Sequence, residues 1–134
     1  MSAKLKKVCY NVWELAYMGK IRLKEIFKSD DENINIDIMG IINKNKIIYK
    51  ENDIKVTIVV LSNKILMNRE HSNYEIDFVF EEGVTTKATY KLKEYNKEFT
   101  IDIKTTKLVI KEDLIDIDYR LDNSIFSFTL KIGG

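Results

Sequence analysis

The stretch IKVTIVVLSNKILMNREHSNYEIDFVF, residues 54 to 80, decides the fold. Ile54, Val56, Ile58 and Val60 fall two apart. So do Ile65, Met67 and Arg69, and then Tyr74, Ile76, Phe78 and Phe80, with Glu75 and Asp77 between them. Successive side chains of a strand point to opposite faces, so a period of two describes half-buried antiparallel strands with one apolar face. Ser62 with Asn63, and REHSN at 69–73, break the rows with residues that adopt turn dihedrals and hydrogen-bond their own backbone. Connections this short join neighbouring antiparallel strands.

The same period extends outward in both directions. Upstream it runs through Ile21 and Leu23, through Ile34, Ile36 and Ile38, and through Ile47, Tyr49 and Glu51. Downstream it runs through Phe99, Ile101 and Ile103, through Ile115, Ile117, Tyr119 and Leu121, and through Phe126, Phe128, Leu130 and Ile132. Turn chemistry separates these rows too, in SDDEN (29–33), NKN (43–45), EEG (81–83), EYNK (94–97), KED (111–113) and DNS (122–124). The reading is an all-β domain over residues 20–134, a meander of eight to ten antiparallel strands. A sheet that long closes into a barrel or splits into a sandwich, and closure also removes sticky edges. A closed barrel is therefore expected.

The first nineteen residues read differently. Leu5, Val8, Cys9, Val12, Trp13 and Ala16 fall at helical spacing, with Ser2 available as N-cap and Gly19 as a stop. A short amphipathic helix over 3–17, within an N-terminal segment 1–19, is the expectation. Val8, Tyr10 and Val12 also alternate, so an early strand competes with it.

Composition bounds the function. A chain of 134 residues points to one domain with one core. A net charge of +1 provides no global field for nucleic acid, and most aromatics fall on inward rows, so no nucleic-acid partner is expected. No apolar run approaches the roughly 20 residues of a membrane-spanning helix. MSAKLKK is followed by no signal-peptide core, and the single Cys9 fits a reducing compartment, so the expected location is cytoplasmic.

Several features, taken in order, resemble a known family. Gly40 ends a strand and is followed by I-x-Y-x-E (Ile47, Tyr49, Glu51). An alternating strand ends in Arg69, and then come F-x-x-G (Phe80, Gly83) and Tyr90. F-x-I-x-I-x-T-x-x-L runs from Phe99 to Leu108, and I-x-I-x-Y-x-L from Ile115 to Leu121. This order is similar to the YwiB-like family, uncharacterised bacterial proteins of calycin-like β-barrel fold, over residues 20 to 132. The resemblance implies a closed, lipocalin-like meander barrel and no established activity. KLKEYNKEF after Tyr90 departs from the family in lacking Pro and Gly.

The search for chemistry yields little of the usual kind. Cys9 and His71 form no metal-ligand cluster, so no metal is expected. A lone histidine in a hydrophilic turn gives no nucleophile–base pair, and isolated glycines give no phosphate or cofactor loop. Neither a cofactor nor an enzymatic activity is expected. The carboxylate pairs Glu75 with Asp77 and Asp116 with Asp118 fall on outward positions, where solvation is the plain reading.

What remains is the barrel interior. The alternation sends Tyr49 and Glu51 inward with Ile47, Arg69 with Met67, and Tyr119 with Ile117. A buried carboxylate without a partner costs several kcal/mol or stays protonated, so Glu51 is expected to pair with Arg69 near one mouth, with tyrosine hydroxyls close by. Such a cluster serves either as a structural plug or as the polar anchor of a pocket. Two functions follow. One is non-enzymatic binding of a small, mainly apolar ligand, oriented by Tyr49, Glu51, Arg69 and Tyr119. The other is an interaction protein with a filled barrel, touching a partner or an anionic membrane surface through its basic N-terminal segment.

Overall fold

The computed structural model describes residues 18–133. Ten strands follow one another: β1 (Met18–Lys28), β2 (Asn33–Asn43), β3 (Lys46–Glu51), β4 (Ile54–Val60), β5 (Ile65–Glu70), β6 (Tyr74–Phe80), β7 (Thr85–Leu92), β8 (Lys97–Lys111), β9 (Leu114–Leu121) and β10 (Ser124–Ile132). Each pairs antiparallel with the next, and β1 also pairs with β10, Leu23 opposite Ile132 and Lys28 opposite Ser127. The sheet is a closed meander barrel. The helix expected over residues 3–17 lies outside the described residues. Gly19, read as its stop, belongs instead to β1, opposite Ile42.

The pleat turns one residue in two toward the lumen, and these inward rows are the core. Ile42, Ile47, Ile58, Ile65, Ile103 and Ile115 are all fully buried. Removing such a side chain from water contributes about 1.5–3 kcal/mol each. Turns between the strands are tight, and Lys44, Asn52, Asn96 and Asp122 take the left-handed backbone conformation that Asn and Asp accept most readily. The outward carboxylate pairs are engaged by neighbours. Asn68 donates to both Glu75 and Asp77 at 2.7 Å, and Asp116 accepts from Thr129 at 2.9 Å and pairs with Lys107 at 2.9 Å.

Two local irregularities shape the lumen. β8 changes partner along its length, pairing with β7 up to Lys104 and with β9 from Ile103. The register slips between Thr105 and Lys107, a β-bulge that returns Leu108 to the inner face. The spacing T-x-x-L, which interrupts the alternation in the sequence, is this bulge. The second irregularity is Gly40. Read from the sequence as a strand end, it lies inside β2, immediately before Ile41, the first β2 residue that pairs with β3. A Cβ there would meet Leu23 Cδ1 at 2.5 Å, the Ile48 carbonyl oxygen at 2.9 Å and Tyr49 Cβ at 3.2 Å. The missing side chain is the space in which Leu23 and Tyr49 pack over β2.

In a meander, alternate hairpins share a rim. The turns β1–β2, β3–β4, β5–β6, β7–β8 and β9–β10 ring one mouth. The other four turns ring the opposite rim, together with the start of β1. Replacing Gly40 by Ala should lower stability by about 1–3 kcal/mol, the usual cost of overpacking a closed core. Denaturant unfolding of the Gly40→Ala variant measures it, and an unchanged midpoint would show that β2 has room to yield.

Candidate functional site

The inner face of the barrel carries one buried polar cluster, built from three strands. Adjacent inward residues Tyr49 and Glu51 come from β3, Arg69 from β5, and Glu25 from β1, on the row that begins with Ile21 and Leu23. The Arg69 guanidinium donates to Glu51 Oε1 at 2.6 Å. The Tyr49 hydroxyl donates to Glu25 Oε1 at 2.5 Å. Neither contact joins hydrogen-bonded strands: the first passes over β4, the second over β2. Glu25 is 1% exposed and Glu51 5% exposed, so each carboxyl depends on these partners for the solvation that water would otherwise supply.

The two carboxyls also meet. Burial first and a hydrogen bond to Glu51 second push the Glu25 carboxyl up to about 7, and the Tyr49 hydroxyl opposes the shift. A protonated Glu25 donating to Glu51 satisfies both groups with one fewer buried charge. Tyr49 is held well above the usual tyrosine range, by burial first and by the neighbouring Glu25 second. It is a neutral donor at any physiological pH.

Tyr119 completes the setting without joining the hydrogen-bonded set. It packs against Phe80 and Phe126, with ring centroids 4.8 Å and 5.2 Å away. Burial raises its ionisation well above normal, and the charge of Arg69 opposes that shift. Its hydroxyl makes no hydrogen bond among the described residues. Tyr90, stacked on Phe99 at 5.2 Å, likewise faces Arg69 and is raised by burial. Phe99 begins an inward row but is 45% exposed, because β8 reaches the rim there.

The cluster lies on the wall of a cavity of about 390 Å³ that opens at the mouth ringed by the β1–β2, β3–β4, β5–β6, β7–β8 and β9–β10 turns, with Glu51 and Arg69 near the mouth-side ends of β3 and β5. Its lining includes Glu25, Glu51, Arg69 and Tyr119, Glu32 at the rim, and eight aromatic rings, among them Phe78 and Tyr90. At the opposite rim Ile42, Ile47, Val60 and Ile65 are fully buried and the lumen is packed. Tyr49 reaches the cluster through its hydroxyl but does not line this cavity. His71 sits in the β5–β6 turn, stacked on Tyr74, its Nδ1 accepting from the Asn73 backbone at 3.1 Å. Among the described residues no group of His, Cys, Asp or Glu is placed to hold a metal ion.

Sequence patterning brought Tyr49, Glu51, Arg69 and Tyr119 to this face but missed Glu25. The signal was present: Ile21, Leu23, Glu25 and Phe27 are one alternating row, and the charge at its third place is inward like Glu51.

A closed ten-stranded antiparallel barrel, packed at one rim and hollow at the other beside an acid–arginine cluster, defines a class of small β-barrel domain. Within it the chain belongs to the family described as domain of unknown function (DUF1934), whose profile matches residues 20–127. The solved ywiB protein from Bacillus subtilis shares the fold, with a TM-score of 0.63 and 21% identity over 86% of this chain and 89% of that one. No curated protein matches the chain.

Two measurements test the cluster. Arg69→Met strands a buried carboxylate and should cost about 3–5 kcal/mol, toward the low end because the guanidinium keeps some solvent contact. The double variant Glu51→Gln/Arg69→Met should cost less than the two single changes together, by about 0.5–3 kcal/mol, and additive costs would show the pair to be uncoupled. The second measurement concerns Glu25. Between 4.5 and about 7 the unfolded chain has lost the Glu25 proton while the folded chain keeps it, so stability falls as pH rises through that window. The total loss is on the order of 3 kcal/mol. Glu25→Gln keeps the neutral form's shape and should remove this slope. Parallel pH-dependences of wild type and variant would place the titration elsewhere.

Proposed function

We propose that the protein is a non-enzymatic binder that takes a small, mainly apolar molecule into the open half of its barrel. The single observation that supports this is the cavity itself. At about 390 Å³ it falls among the roughly 300–1,000 Å³ typical of small-molecule sites. Its walls are largely aromatic and its polar groups converge at one end, the arrangement that encloses an apolar body and orients one head group. Tyr119 and Arg69 both line that space. Glu51 and Tyr49 hold the arginine and Glu25 in place.

A meander barrel open at one rim is also how calycin-type proteins hold their ligands, and that likeness supports the same reading. A barrel filled throughout, acting only as an interaction module, fits the packed rim and not the hollow one. Cytoplasmic location is part of the proposal. It is compatible with the absence, among the described residues, of any helix long and apolar enough to cross a membrane.

Native mass spectrometry of protein taken gently from its own cytoplasm should show a mass above that of the polypeptide, released on activation. Ile76→Trp places an indole in the cavity and should abolish both that mass and the binding of a neutral naphthylamine dye, with the circular dichroism spectrum unchanged. Protein that carries no added mass and leaves the dye in water would overturn the reading.

A further inference from the structure

The open and packed rims differ in charge as well as in packing. The five turns around the open mouth carry Asp30, Asp31, Glu32, Asp53, Glu94 and Asp122 against Lys93. The four turns of the packed rim carry four acids against Lys44 and Lys64, a much smaller imbalance. A mouth lined by one sign of charge concentrates ligands of the opposite sign, and the low-dielectric walls behind it focus that field inward.

The cavity continues the bias. Glu25, Glu32 and Glu51 line it against the guanidinium of Arg69, and that guanidinium is already committed to Glu51. An anionic head group would leave Glu51, Arg69 and the ligand with one uncompensated negative charge in a desolvated site. It would also pass an acidic rim to get there. A cationic head group instead matches Glu25, so that two carboxylates, one guanidinium and one cation sum to neutrality. The aromatic faces that surround the cluster attract cations and repel anions through their quadrupoles. The Tyr119 hydroxyl supplies a further acceptor: Tyr119 lines the cavity, is 6% exposed and has no partner among the described residues.

We propose that the molecule this cavity takes is a hydrophobic amine, bound as its ammonium ion against Glu25 and Glu51, with its apolar body among the rings of the lumen. The inference rests on the binding reading above and specifies its ligand class. The ammonium N–H replaces the O–H that Glu25 otherwise donates to Glu51, so binding releases the Glu25 proton to solvent. The groups that face Glu25 are Tyr49 and Glu51 from β3, Arg69 from β5 and Tyr119 from β9. Glu25 is the carboxyl among them whose protonation competes with the cation near neutral pH. Affinity for an amine should therefore rise by about tenfold per unit as pH increases toward 7, and level off above it.

The test is calorimetric titration of the intact protein at pH 8 with octylamine, octanoate and octanol, which share a chain and differ in head charge. Octylamine is expected to bind at least tenfold tighter than octanoate and tighter than octanol. Its apparent affinity should fall from pH 8 to pH 6, and at pH 6 proton release should be visible as a buffer-dependent heat. Glu25→Gln, checked for folding by circular dichroism, should bring the amine-to-alcohol affinity ratio close to one and remove the pH dependence. Octanoate or octanol binding as tightly as octylamine would overturn the amine assignment and leave the binding reading standing. Failure of all three, together with an empty native mass spectrum, would overturn both.

Discussion

Arg69 reaches past β4 to Glu51, and the rest of the lumen is arranged around that contact. Bringing a guanidinium and a carboxylate out of water costs several kcal/mol per ion, which their mutual attraction offsets only when the remaining polar atoms are also served. Here the service comes from one strand further on. The Glu25 carboxyl, pushed up to about 7, can share its proton with Glu51, and Tyr49 donates to Glu25. Each member is solvated by another, so the cluster stands or falls as a unit. Gly40 belongs to the same arrangement, since a side chain there would occupy the space where Tyr49 packs on its way to Glu25.

Closure sets the second condition. Barrel width grows with strand number, and about eight strands already give an interior that side chains only just fill. Ten strands enclose more, and the chain divides the extra space unequally. Branched aliphatic residues pack the rim where the described chain begins. Toward the other mouth the inward positions become aromatic and polar, and rings that stack on one another, such as Phe80 with Tyr119 and Tyr119 with Phe126, line the wall without closing the centre. The bulge after Thr105 lets β8 turn from β7 to β9 while keeping both halves of the strand facing inward. The hollow is thus a consequence of where large flat side chains replace branched ones along the strands.

Much of this was legible in the sequence, though unevenly. The rows of Ile54 to Val60 and Tyr74 to Phe80 declared their faces because the pleat is a local property of the backbone. Short Asn-, Asp- and Ser-rich breaks declared the meander for the same reason. Glu51 and Arg69 could be matched because each was the polar member of an apolar row and opposite charges seek each other when buried. Glu25 was not found, since it lies among Lys20, Arg22, Lys24 and Lys28, and a basic neighbourhood disguised an inward acid as one more surface charge. Gly40 looked like a terminus because a glycine in a strand pattern marks an end, a bulge or a close approach equally well.

The sequence by itself determined which side of each strand faces inward and which strands are neighbours, because both follow from a two-residue period and from turns too short to go elsewhere. Only the tertiary structure decided which inward residues meet. Glu25 and Tyr49 come from strands separated by a third, as do Glu51 and Arg69, and their heights along the barrel depend on the register accumulated through every pair between them. Register and closure are properties of the whole sheet. So is the hollow beside the cluster, which exists because ten strands closed and their inward side chains filled one half.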